Sequence, residues 1–183
     1  YVFLVCQLTR FIMLGGLFMS IDVRLARIDD RLIHGQVTTT WSKQIGINRI
    51  LVISDEAASH PLRKLLLKQA APTGVNVNVL SVSRMIEVSQ SDILQNERIA
   101  LLFTTPVDVE SLVRSGMELT SVNIGGMSFS SGKKMLTNFI SVDDRDVEAF
   151  SYLSAEGIEL EVRKVPADHK VDLIELLKKQ DFL

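Results

Sequence analysis

From Ile21 onward the chain alternates short apolar, β-branched runs with longer amphipathic ones, and no other feature limits its possible folds as much. Candidate strands are "IDVRLARI" (21 to 28), "RILVIS" (49 to 54), "VNVNVLSV" (75 to 82), "IALLFT" (99 to 104), "LTSVNIG" (119 to 125), "NFISV" (138 to 142) and "IELEVRKV" (158 to 165). Several are continuously apolar, the pattern of strands covered on both faces. Between them, 36 to 45, 56 to 70, 83 to 90, 106 to 115, 144 to 155 and 170 to 180 are expected as helices. Such alternation specifies parallel strands joined by crossover helices. The expected fold class is therefore α/β: a single-domain, open, mostly parallel, doubly wound sheet of about six or seven strands, with helices on both faces and room for an antiparallel edge strand.

Two local patterns sharpen this. In "EAASHPLRKLLLKQA", Leu62, Leu65, Leu66 and Ala70 recur at i, i+3, i+4 and i+8, which predicts a core-facing stripe. Pro61 then fits only in a first helical turn. In the last strand Ile158, Leu160, Val162 and Val165 alternate with Glu159, Glu161, Arg163 and Lys164, which predicts an edge strand with one face in water.

At 183 residues the chain suits one domain, and one domain implies one principal site. With 20 basic and 22 acidic residues the net charge is −2, so no excess drives phosphate-backbone binding, and nucleic acid is excluded as an expected partner. The one cysteine, Cys6, with the scattered His34, His60 and His169, matches no zinc spacing; neither a metal nor a cofactor is expected. The opening "YVFLVCQLTRFIMLGGLFMS" is apolar but broken by Gln7 and Arg10, too interrupted for a spanning helix and lacking the basic start of a signal peptide. Residues 1–18 read as a non-native or upstream extension, with the domain running over 19–183 in the cytoplasm.

Chemistry concentrates in "ARIDDRLIHGQV", residues 26 to 37, where the first strand gives way to the first helix. Open α/β sheets put their sites at the carboxyl ends of strands. His34 and Gly35 would lie just ahead of a helix start, where unpaired N–H groups favour an anion and Gly35 and Gln36 would supply backbone. Arg31 and Arg27 offer planar donors for a phosphoryl group or carboxylate. An imidazole there can act as a nucleophile toward phosphorus, with Asp29 or Asp30 fixing its tautomer. Spacing alone leaves the plainer reading standing beside this one: a solvated loop histidine next to a surface ion-pair cluster.

Other motifs carry less. "GGMSFSSGKKML" has one residue too many between Gly126 and Gly132 for a phosphate loop, and Lys134 stands where Ser or Thr belongs. It reads first as a glycine/serine loop. Its functional version puts Gly125 and Gly126 beside His34, with Ser130, Ser131, Lys133 or Lys134 helping to bind a phosphoryl group or a partner. Asp55 and Glu56 read as helix-capping acids rather than a metal pocket. His60 and His169 read as solvated, and Trp41 as a core residue.

The stretch "RLARIDDRLIHGQVTTTWSK" (24 to 43) resembles the opening of the IIB proteins of the mannose/fructose/sorbose family of the bacterial sugar phosphotransferase system. The likeness continues through "RILVISDE", "LLLKQAAPTGVNVNVLSV", "LLFTTPVDV" and "VNIGGM", and fits the sorbose-type branch at least as well as the others. The resemblance implies that His34 accepts a phosphoryl group on Nδ1 from a phosphohistidine of a IIA protein and passes it to a sugar entering through membrane IIC and IID subunits. It implies phosphoryl stabilisation by Arg31, loop support by Asp29 and Asp30, and backbone from Gly35 and Gln36. A IIA partner on a separate chain is expected, and a homo-oligomer is left open. The alternatives are a non-catalytic α/β anion-binding module and a receiver-like switch modified on Asp29, Asp30 or Asp55.

Overall fold

Strand β1 (Asp22–Asp29) is central, and its side chains alternate between two apolar layers. Ala26 and Ile28 face one layer and Leu25 the other. The computed structural model describes residues 21–35 and 40–183. The expectations for residues 1–18, for Gln36 and for the start of the helix at 36 to 45 lie outside the described residues.

After the loop come α1 (Ser42–Ile45), β2 (Arg49–Ile53), α2 (Asp55–Ser59), α3 (Pro61–Gln69), β3 (Asn76–Leu80), α4 (Val82–Ser89), β4 (Arg98–Phe103) and α5 (Pro106–Arg114). The second half adds β5 (Ser121–Gly126), β6 (Lys134–Met135), β7 (Ser141–Val142), α6 (Asp144–Ala155), β8 (Glu159–Val162), β9 (Val171–Asp172) and α7 (Leu173–Lys179). The main sheet has seven strands in the order β3-β2-β4-β1-β5-β8-β9, all parallel except the β8–β9 pair. One apolar layer holds Met85 and Val88 of α4, Val109 and Leu112 of α5, Phe150 and Leu153 of α6 and Leu173 and Leu177 of α7. The other holds Trp41, Ala57 and Leu67, from the α1 to α3 side. Helices thus cover both faces, as the alternation predicts.

Four local expectations are corrected. The run at 138 to 142 does not join the main sheet: β7 pairs antiparallel with β6 as a separate hairpin, although Ile140 and Val142 are buried. An apolar run signals burial, not which sheet receives it. Strand β8 is not the edge, because antiparallel β9 lies outside it, and Glu161 is buried rather than wet. The segment 56 to 70 is two helices, since extended His60 interrupts it and Pro61 starts α3 at its first turn. Leu62, Leu65, Leu66 and Ala70 face solvent, with Leu67 buried instead. Helical spacing identifies a stripe but not its direction, and the break at His60 decouples the stripe from α2.

Caps explain several boundaries. Ser54, Ser81, Thr105, Asp143 and Asp172 each accept a backbone N–H of the helix they precede. Asp55, in the first turn of α2, also accepts the Val82 N–H at 2.8 Å. Asp108 in the first turn of α5 is different. Burial pushes its carboxyl up to about 6, with the charge of Asp55 adding to the shift against hydrogen bonds from Thr105 and Thr104. The fold therefore keeps a proton on Asp108 at pH values where the unfolded chain has lost it, so this contribution is complete in acid and lost as pH rises through about 6. Asp108→Asn removes the titration. Denaturant unfolding across that range is expected to show the variant gaining on the parent protein as pH rises, and a constant difference would be the contrary result.

Candidate functional site: an ionic hub beneath His34

On β1 the residues that alternate with Ala26 and Ile28 are Arg27 and Asp29, both fully buried. A buried arginine needs a counter-ion and hydrogen-bond acceptors, and the strand register supplies them to both terminal nitrogens of Arg27, its Nε alone finding no partner among the described residues. Arg27 lies beside Asn123 of β5, and Asn123 beside Glu161 of β8. The three form a polar ladder on the sheet face that carries Trp41. Arg27 donates to Asn123 Oδ1 and, at 2.7 Å, to Asp29 Oδ2. Asn123 Nδ2 donates to Glu161 Oε1 and to the Arg163 carbonyl, each at 3.2 Å. Arg163 returns to Glu161 at 2.9 Å. The Trp41 ring lies 5.5 Å from the Arg27 guanidinium carbon and 5.1 Å from that of Arg163, and its Nε1–H donates to the Lys164 carbonyl at 3.0 Å. Core packing, the expected role of Trp41, is correct, and the ring also flanks the ionic ladder.

Asp29 is the hub. Besides Arg27 it accepts from Arg31 Nε at 2.9 Å, Arg31 Nη2 at 3.0 Å and the Arg31 backbone N–H at 3.2 Å. His34 Nε2 stands 3.7 Å from Asp29 Oδ2. Burial works to raise the Asp29 carboxyl, but the Arg31 hydrogen bond and the charges of Arg27, His34 and Arg31 prevail and hold it below its ordinary value. For Arg27, burial prevails over the attraction of Asp29 and lowers its pKa. The hydrogen bond to Asp29 raises that of Arg31.

Asp30 points elsewhere. It accepts the Ser128 N–H at 2.7 Å and its own N–H donates to the Gly126 carbonyl, tying the loop to the segment after β5. Of the two acids, Asp29 faces the ring. Leu32 has a left-handed backbone, φ 57°, unusual for a branched side chain. Its buried side chain, packed in the Trp41 layer, holds that conformation. The turn brings the Leu32 carbonyl within 2.9 Å of His34 Nδ1, so Nδ1 carries the proton in this arrangement. The His34 side chain is only 18% exposed, less open than the solvated loop histidine of the plainer reading, whereas that of Arg31 is 48% exposed.

The two glycines of "NIGG" accommodate arginines. A Cβ on Gly125 would fall on the Arg27 guanidinium, and one on Gly126 would lie 3.3 Å from Arg31 Nη2. At Gly35 a Cβ would meet nothing described within 4 Å. Lys133 is engaged with Asp146 at 2.7 Å, while Ser130, Ser131 and Lys134 are exposed. His60 and His169 are exposed, as expected. Sequence reasoning brought Arg27, Asp29, Arg31 and His34 together but missed Asn123, Glu161 and Arg163. A polar residue inside an otherwise apolar strand, as in "SVNIGG", was the signal available. Among the described residues no cluster of three or more histidines, cysteines or acids is suited to a metal.

Residues 23–183 match the family model described as the PTS system sorbose subfamily IIB component. The chain belongs to this family. It is 42% identical over 161 residues to the sorbose-specific EIIB component of Klebsiella pneumoniae, covering 88% of this chain and 98% of that protein. The crystal structure of the IIBSor domain of the sorbose permease from that organism superposes with a TM-score of 0.85, covering 88% of this chain and 99% of that one. The mannose-specific EIIAB component of Escherichia coli (strain K12) is 53% identical over 159 residues, 87% of this chain, which spans only 49% of that relative's length. The chain's mostly parallel α/β sheet is the fold of the solved IIBSor domain, a member of the family. No helix among the described residues is long and apolar enough to cross a membrane.

Proposed function

We propose that His34 carries the phosphoryl group of this IIB component. The imidazole lone pair attacks phosphorus on a phosphohistidine of a IIA partner, the donor's P–N bond breaks, and its electron pair returns to the donor ring. In the second step a sugar hydroxyl oxygen attacks the phosphorus, the bond to His34 breaks, and the departing imidazole takes the hydroxyl proton. On this reading the protein works in the cytoplasm, at membrane IIC and IID subunits that admit the sugar.

The observation that carries the reading is the placement of His34 and a half-exposed Arg31 on one buried carboxylate at the carboxyl end of β1. Phosphoryl transfer needs in-line positioning and charge stabilisation more than acid–base machinery, and on this reading His34 is the nucleophile, half-exposed Arg31 the stabilising cation and buried Asp29 the anion behind the ring. Attack through Nδ1 requires the ring to release the Leu32 carbonyl and to carry its proton on Nε2, the nitrogen that already faces Asp29 at 3.7 Å. Gly35, Gln36 and Gly126 remain candidates for backbone contacts to the phosphoryl group. Gly125 is better explained by the guanidinium that occupies its space.

The test is incubation with phosphoenolpyruvate, the two general phosphotransferase proteins and a IIA protein, read by intact mass. The parent protein is expected to gain one phosphoryl group and His34→Ala none; an equal gain by His34→Ala refutes the assignment. Retained phosphate binding without any covalent gain would favour an anion-binding module. Phosphorus–nitrogen correlation by NMR identifies the modified ring atom. Arg31→Ala is expected to slow acceptance about a hundredfold or more with the fold intact, as when one charge-stabilising donor is lost. An unchanged rate would remove Arg31 from the site.

A further inference from the structure

Two arginines on one buried carboxylate is more cation than that carboxylate needs. We propose that they divide the work: Arg27, braced by Asn123, is the permanent counter-ion of Asp29, and Arg31 is an exchangeable one that leaves Asp29 for the phosphoryl group when His34 is modified. This rests on the reading of His34 as the phosphoryl carrier and assigns Arg27 and Asn123 as positioning residues behind it.

The surroundings of the two guanidinium groups differ. Arg27 has 0% side-chain exposure and is enclosed by Asn123, the Gly125 backbone and Trp41. It cannot turn away without opening the sheet face. Arg31 is 48% exposed and grips Asp29 from the solvent side through a two-pronged contact at 2.9 and 3.0 Å. It can swing out by side-chain rotation alone. The Arg31 backbone N–H, 3.2 Å from Asp29 Oδ1, depends on the loop and not on that rotation. After the exchange Asp29 still holds Arg27 at 2.7 Å and this N–H, so a buried carboxylate is never stranded.

Charge supplies the driving force. A phosphoryl group brings about −1.5 to −2 charge and three strong acceptor oxygens. His34 Nε2 lies 3.7 Å from Asp29 Oδ2, so that charge arrives close to an existing anion. Moving a forked, five-donor cation from a singly charged carboxylate to the more highly charged phosphoryl group offsets the repulsion, and the fork suits either acceptor. Without a fixed second cation, the same movement would leave Asp29 an uncompensated anion beside the phosphoryl group. The brace matters for this reason: Asn123 Oδ1 accepts from Arg27 while its Nδ2 is held by Glu161 and the Arg163 carbonyl, so the amide cannot turn over.

The experiment follows arginine Nε–H resonances in the full-length protein before and after phosphorylation, with intact mass confirming the adduct. The expected result is a large shift of the Arg31 signal with the Arg27 signal nearly unmoved. Emission from Trp41, the chain's only tryptophan, gives a second view of Arg27, whose guanidinium lies over its ring. Asn123→Ala, which leaves Arg27 only the longer contact to the Arg163 carbonyl besides Asp29, is expected to lower the equilibrium extent of phosphorylation about tenfold, with the unmodified variant still showing the Arg31 signal of a carboxylate-bound group. A purely structural role for Asn123 predicts instead lower stability with unchanged phosphorylation. Full modification with Arg31 unshifted, or with Arg27 shifted in its place, overturns the division of work and leaves His34 as the carrier. Absence of any mass gain overturns the carrier reading, and this proposal with it.

Discussion

Replacing Asp29 with alanine is expected to cost about 3–5 kcal/mol of folding stability, because it leaves a buried arginine without its carboxylate. Arg27 would keep the Asn123 side chain and the Arg163 carbonyl, but neither carries a negative charge. Marginal stabilities of about 5–15 kcal/mol make such a loss large. The effect has a pH signature. The folded-state pKa of Asp29 is depressed, so its ionised form contributes stability above the ordinary carboxylate value, and the contribution is lost as pH falls through the depressed one. The isosteric Asp29→Asn should therefore be clearly less stable than the parent near neutrality and approach it in strong acid. Denaturant unfolding over an acid-to-neutral series checks both statements. A loss below about 1 kcal/mol for Asp29→Ala would mean that Arg27 is not held in the way described.

Gly125→Ala is the second large effect, expected to cost about 3 kcal/mol or more, since overpacking adds to the breaking of a buried ion pair. The added methyl would occupy the space of the Arg27 guanidinium carbon and both terminal nitrogens, which belong to a fully buried side chain. The φ of Gly125 is not positive, so the penalty is steric and not conformational. Gly126→Ala is the internal control. Its methyl would meet Arg31 Nη2 at 3.3 Å and Asp29 Oδ1 at 3.4 Å, and the nearer of these is the end of a half-exposed side chain that can move. Gly126→Ala is accordingly expected to fold nearly as well as the parent and to act mainly on the Arg31 contact. Equal losses for the two variants, measured by thermal or denaturant unfolding, would contradict the packing described around Arg27.

Much of the architecture was legible because it follows from one-dimensional periodicity. Runs such as "ILVI" and "IALLF" bury both faces of a strand wherever they sit, so the parallel α/β sheet could be read before any contact was known. The misreadings share a cause. Ile140 and Val142 are as buried as their neighbours suggest, but only pairing decides that they belong to a small hairpin. Leu62, Leu65 and Leu66 have a core-like spacing, but only packing decides that α3 turns Leu67 inward instead.

The site divides in the same way. The segment "RIDDRLIHG" by itself determined that an imidazole, two acids and two arginines would crowd the end of a strand, because they are nearly consecutive and the strand ends there. Only the tertiary structure decided which acid serves the ring: Asp29 turns inward while Asp30 reaches Ser128, a choice made by strand alternation and by the neighbouring loop. It also brought Asn123 of β5, Glu161 of β8 and Arg163 just after β8 behind the motif, across chain separations of 96 for Arg27 to Asn123 and 136 for Arg27 to Arg163. Contacts across a parallel sheet depend on strand order and register, and neither is written in the spacing of residues along the chain.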